Sequence, residues 1–148
     1  GLFDTSELAE PGRAKEMRER QMKAVRAGDL RRVMRDEMKP NYLADGPANA
    51  AILDLFMDMA ETLGPDAFER QSIALRDRRD QTETLRNFEG PALVLCGAED
   101  KLCPVSRHQM MAELLGDSTL HVIENAGHIP TLENPDATNE AVIRWMER

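Results

Sequence analysis

The chain has 148 residues, 31% charged and 41% hydrophobic, which suits one globular domain with a buried core rather than a disordered chain. A formal net charge of −8 speaks against nucleic acid or an anionic membrane as partner, since both need a basic face. No apolar run approaches the roughly 20 residues that span a bilayer, and two cysteines, Cys96 and Cys103, make no disulfide framework, so a reducing cytoplasm is the expected location.

Leu2-Phe3-Asp4-Thr5-Ser6 reads as the last half of a strand closing in polar residues, and no secretory leader pattern stands at the start. Residues 11–27 read as a helix with a weak apolar face (Ala14, Met17, Met22, Val25), largely exposed and ended by Gly28. Asp29 is placed to cap a second helix, in which Leu30, Val33, Met34 and Met38 fall at helical spacing before Pro40. Residues 41–47 form a loop carrying the only tyrosine, Tyr42. Residues 49–63 carry the strongest helical pattern: Ile52, Leu55, Phe56, Met59 and Leu63 make the expected inner face, with Leu53, Met57 and Ala60 on a second face. Gly64-Pro65 ends this helix and starts another over 65–75, with Phe68 and Leu75 inward. A polar link over 76–81 leads to a short helical turn over 82–87.

From residue 91 the pattern changes. Residues 92–96 and 119–123 are short apolar runs bounded by turn residues, each reading as a buried strand. Between them, 105–115 reads as a helix with Met111, Leu114 and Leu115 on one face. Strand, helix and strand in that order form a βαβ unit, whose two strands are parallel and end at the same edge. Gly97-Ala98-Glu99-Asp100 follows the first strand and Asn125-Ala126-Gly127-His128 the second, so an acid and a histidine arrive together where open α/β sheets bind ligands. Residues 135–147 form a closing helix with Val142, Ile143 and Met146 inward and Trp145 flanking them, part-buried against the sheet.

His128 is the candidate proton acceptor, because imidazole exchanges a proton near neutrality and Ala126-Gly127 allow a tight turn that presents the ring. The competing reading is a structural or surface histidine. Asp100 is the candidate partner, with Glu99 as rival and a turn-forming aspartate as the plainer reading. His108, on the crossover helix, and His121, on a strand, read as structural, Cys96 as a small buried apolar residue, and the methionines before residue 88 as core filler. No clustered Cys-His spacing, G-x-G-x-x-G or P-loop occurs, so neither a metal nor a cofactor is expected.

The order strand, G-x-x-D, helix, strand, A-G-H, Leu132-Glu133-x-Pro135 and final helix resembles the C-terminal end of α/β-hydrolase-fold enzymes over residues 88–145, including Leu102 and Pro104 after the acid. The resemblance implies a catalytic role for Asp100, which it selects over Glu99, as the group orienting His128, and for His128 as the base that activates a nucleophile. It implies that Glu133 ties the histidine loop to the final helix. The fold class it implies is a partial α/β-hydrolase fold: a small, mostly parallel three-stranded sheet with flanking helices and an inserted all-helical cap. Residues 1–6 would be the remnant of a core strand, 7–87 a cap lining the substrate pocket, and 88–148 the C-terminal βαβα part. A nucleophile elbow, G-x-S-x-G, is absent: Ser6, Ser72, Ser106 and Ser118 sit in no such turn. The expectation is therefore the C-terminal part of a hydrolase for a small apolar ester-like substrate, inactive alone. The alternative is a non-catalytic module that self-associates, edge to edge about a two-fold axis through the open edge of its first strand, or pairs with a separate N-terminal half.

Overall fold

The computed structural model describes residues 1–46 and 49–148, so residue 47, the end of the expected loop, lies outside the described residues. In chain order the elements are β1 (Leu2–Phe3), α1 (Gly12–Arg26), α2 (Leu30–Arg32, continuing as a π-helical stretch Val33–Met38 and a 3₁₀ turn Lys39–Asn41), α3 (Asn49–Arg76), α4 (Thr82–Arg86), β2 (Ala92–Gly97), α5 (Val105–Leu114), β3 (Ser118–Ile123), α6 (Pro130–Glu133) and α7 (Pro135–Met146). They fall into two units: Gly1–Glu7, Asn41–Asn49 and Gln81–Arg148 form the first, and Leu8–Pro40 with Ala50–Asp80 the second.

The first unit is built on β2, whose six residues are all buried. Side chains alternate along a strand. Leu93 and Leu95 accordingly join Ile123, Ala126 and Ala141 in one apolar cluster, with Phe3, Val142 and Trp145 packed against it. Ala92 and Val94 join Met111 and Leu115 in another, with Leu2 and Leu120 alongside. The sheet order is β1-β2-β3. Both pairings are parallel, with Leu2 opposite Val94 and Phe3 opposite Leu95 on one side, and Ala92 opposite Ser118 through Gly97 opposite Ile123 on the other. The expected parallel βαβ unit is thus present, and all three strands end at one edge.

The inner face of α7 differs from the expected one. Ile143 and Met146 are 55% and 71% exposed. Ala137, Val142 and Trp145 pack on the sheet cluster beside Ala141, and Thr138 is buried with its hydroxyl donating to the Pro130 carbonyl at 3.0 Å. The smaller residues let the helix approach closely, and size rather than hydropathy chose the face.

The second unit is helical. Its α3 is interrupted at Gly64 (φ 76°, ψ 179°), the break that Gly64-Pro65 announces in the sequence. The expected inner stripe of the first half is only partly met: Ile52 is buried and Phe56 half-buried, but Leu55, Met59 and Leu63 are 44%, 49% and 57% exposed, and Met57 of the second face is buried. Leu75, expected inward, is also exposed, and Ser72 is buried instead. The second predicted helix is not regular. Lys39 donates to the Met34 carbonyl, one residue further back than an α-helix requires, just before Pro40, which has no N–H and crowds the preceding turn. Asp29 makes no cap hydrogen bond; its carboxylate takes the Arg32 Nε at 3.3 Å. Arg26–Glu69 and Arg76–Glu19 tie α1 to the second half of α3, and Arg31–Glu61 ties α2 to the first half. Among the described residues no helix is long and apolar enough to cross a membrane.

Candidate active site

Asp100 sits three residues beyond the end of β2 and is buried. Its Oδ1 accepts from the backbone N–H of Leu102 at 2.8 Å and of Cys103 at 2.9 Å, and its Oδ2 lies 2.9 Å from the His128 Nδ1. The turn-forming aspartate and the histidine partner, posed as alternatives by the sequence, are the same side chain using different oxygens. Glu99 is exposed and enters only through its backbone N–H, which donates to the Ala126 carbonyl at 2.9 Å.

His128 is held by segments far apart in sequence. Its backbone N–H donates to the Tyr42 carbonyl at 2.7 Å, and the two rings stack with centroids 6.1 Å apart and planes 17° from parallel. Glu133 gathers the loop: its carboxylate accepts from Gly127 N–H at 2.9 Å, Ile129 N–H at 3.1 Å and Ala44 N–H at 2.7 Å. It therefore ties the histidine loop to the 41–46 segment, a partner the sequence reading did not name. Close backbone approach fixes two glycines. A Cβ on Gly97 would lie 2.0 Å from the Gly127 carbonyl oxygen, and one on Gly127 would lie 2.6 Å from the Ala44 nitrogen.

The electrostatics favour a charged pair. Burial works against the Asp100 carboxylate, but the hydrogen bond from His128, the backbone N–H groups of Cys103 and Leu102 and the His128 charge outweigh it and hold Asp100 below its ordinary value. Burial likewise works against a protonated His128, but the hydrogen bond and charge of Asp100, then the charges of Asp4 and Glu133, raise its pKa. With Nδ1 donating to Asp100, Nε2 is left for an incoming group. That is the arrangement of an oriented general base.

His108 is fully buried. Its Nδ1 donates to the Pro104 carbonyl at 3.3 Å and its Nε2 accepts from Thr5 N–H at 3.1 Å, while burial lowers its pKa. It pins the chain just after β1 to α5. Cys103 was not singled out by the sequence, yet its Sγ, an Asp100 oxygen and a His128 nitrogen lie within 4.8 Å of one another. Within this group Asp100 and His128 are hydrogen-bonded to one another at 2.9 Å. Tyr42 also escaped the sequence reading as a site residue: its carbonyl takes the His128 N–H, a contact any residue could supply.

A parallel sheet carrying an aspartate and a histidine on adjacent strand ends defines a class of α/β proteins with a hydrolase-like edge. The model of the "Alpha/beta hydrolase family" matches residues 5–141, and the chain belongs to that family. Its relatives include 3-oxoadipate enol-lactonase 2 of Acinetobacter baylyi, 34% identical over 111 residues, 74% of this chain and 39% of the relative. Pimeloyl-[acyl-carrier protein] methyl ester esterase of Xanthomonas axonopodis pv. citri is 29% identical over 82 residues, 55% of this chain and 32% of the relative. Among solved structures, a thermophilic esterase from Thermogutta terrifontis superimposes with a TM-score of 0.91 at 26% identity, covering 99% of this chain and 54% of that one. The enol-lactonase from Burkholderia xenovorans LB400 superimposes at 0.83 and 16% identity, which shows the fold alone, over 99% of this chain and 55% of that one. The chain thus spans about half of these solved chains and 39% of the lactonase relative.

Proposed function

We propose that Asp100 and His128 are the orienting acid and the general base of a hydrolase site for a small, fairly apolar ester or lactone. The nucleophile would come from sequence outside these 148 residues. The observation that carries this reading is the 2.9 Å bond from His128 Nδ1 to a buried carboxylate whose other oxygen is fixed by two backbone N–H groups. Such a base is held in one tautomer and one orientation, which is what proton abstraction from a hydroxyl nucleophile needs. Relatives named as a lactonase and an esterase support the substrate class. No G-x-S-x-G occurs in the chain, and without a nucleophile and oxyanion donors little rate enhancement remains.

The test is hydrolysis of a short-chain p-nitrophenyl ester. The 148-residue chain shows no turnover that His128→Ala removes. The product of the complete reading frame shows turnover that His128→Ala lowers by roughly 10³-fold or more. His128-dependent turnover by the short chain sinks the inactivity claim, and an active complete product indifferent to His128→Ala sinks the base. A second reading, a self-associating module without catalysis, is favoured by β1 and β3 each pairing on one side only among the described residues.

A further inference from the structure

The group at this sheet edge that the mechanism leaves unused is Asp4. Because β1 runs parallel to β2 with Phe3 opposite Leu95, the next residue delivers its carboxyl to the edge that carries Asp100 and His128. Asp4 has φ 44°, a left-handed conformation uncommon for a residue with a side chain. Three contacts hold it there. Its N–H donates to the Leu95 carbonyl at 3.0 Å, its Oδ1 accepts from Gly97 N–H at 3.1 Å, and the following Thr5 N–H is fixed by His108. Gly97 is the meeting point. Its N–H binds Asp4, its carbonyl accepts from the Asp100 N–H at 3.4 Å, and its Cα lies against the Ala126 and Gly127 carbonyls of the histidine loop.

We propose that Asp4 is a positioning residue whose carboxyl, held at this edge by the Gly97 N–H, biases the protonation of His128 through its charge. This rests on reading His128 as the base. The other titratable groups around this edge are accounted for. Asp100 is held ionised by its three donors. The Glu133 carboxylate is occupied by backbone N–H groups. The Cys96 thiol stays protonated, pushed up to about 12 by burial and then by Asp4 and Asp100. His108 is kept neutral by burial, and Glu7 is paired with Arg107 at 3.3 Å. Burial, then the charges of Asp100 and Glu133, push Asp4 up to about 7 against the pull of the Gly97 N–H and the His128 charge. A proton is therefore available on Asp4 near neutrality. When it ionises, a further negative charge faces the imidazole and favours the imidazolium; when it is protonated, that support is withdrawn.

The experiment is an NMR titration of the 148-residue chain, following the His128 imidazole and the Asp4 side-chain carboxyl carbon from pH 4 to 9. In the wild type, Asp4 titrates near neutrality and its curve shares inflections with His128. In Asp4→Asn, which keeps an oxygen for Gly97 N–H, the His128 midpoint falls by roughly half a pH unit. Asp117→Asn, where the carboxylate pairs with Arg148 before the start of β3, leaves the midpoint unmoved. An unmoved His128 midpoint in folded Asp4→Asn, or an Asp4 curve in the ordinary carboxylate range, overturns the proposal; if Asp4→Asn does not fold, the wild-type Asp4 curve alone decides. The ester assay is a separate readout. Coupling without His128-dependent hydrolysis by the complete product would sink only the catalytic reading, and hydrolysis without coupling only this one.

Discussion

Asp100 serves two demands at once, and its two oxygens explain a pH-dependent stability. One oxygen closes the turn after β2; the other takes the His128 Nδ1–H. Its folded pKa is lowered, so its contribution is present above the ordinary carboxylate range near 4 and is lost as pH falls through the folded value. The His128 pKa is raised, so its contribution is complete below about 6.5 and is lost as pH rises through the folded value. The window in which both partners contribute fully runs from roughly pH 4 to 6.5. Asp100→Asn, which keeps an acceptor for the turn but loses the charge facing His128, is expected to cost about 1–3 kcal/mol at pH 5.5 and clearly less at pH 9. Urea unfolding at the two pH values measures this, and an equal penalty at both would show that the charge on His128 adds nothing.

At the scale of elements, the contact between the histidine loop and the 41–46 segment is the part of the site the sequence concealed. It depends on backbone meeting backbone: Gly127 against Ala44 and Tyr42, the Tyr42 carbonyl on His128 N–H, and the Glu133 carboxylate on Ala44 N–H. Gly127→Ala places a methyl 2.6 Å from the Ala44 nitrogen. It is expected to cost about 1–3 kcal/mol and to shift the Tyr42 and His128 resonances together, measured by urea unfolding and NMR. A neutral substitution would mean that the two segments are not packed as described. The strands, by contrast, were legible because β2 is an uninterrupted apolar run that fits few alternatives; strand ends in a βαβ unit share an edge, which brought an acid and His128 together, and the family resemblance chose Asp100 over Glu99. Helix faces were less legible. The first half of α3 is apolar on two sides, so periodicity fits both and tertiary packing chose Ile52 and Met57 over Leu55, Met59 and Leu63. In α7 the packed face is rich in Ala137, Thr138 and Ala141, which hydropathy underrates beside Ile143 and Met146.

At the scale of the whole molecule, the three-stranded sheet poses the remaining question. β3 pairs with β2 through all six of its residues but, among the described residues, has no strand on its other side, and the same holds for the two residues of β1. An unpaired edge offers backbone donors and acceptors to another strand unless charge, proline or a covering segment blocks it. β3 (Ser118–Ile123) contains neither proline nor an acidic or lysine side chain, and Val122 on it is 36% exposed. The occupant that needs no further component is a second copy of the chain, edge to edge about a two-fold axis. Sedimentation velocity on the 148-residue chain at tens of micromolar is expected to show a dimer or larger species, with Val122→Lys shifting it toward monomer, since a charge on an edge strand opposes such pairing. A sharp monomer at every concentration, with Val122→Lys indistinguishable from the wild type, would remove the self-association reading and leave the hydrolase reading standing alone.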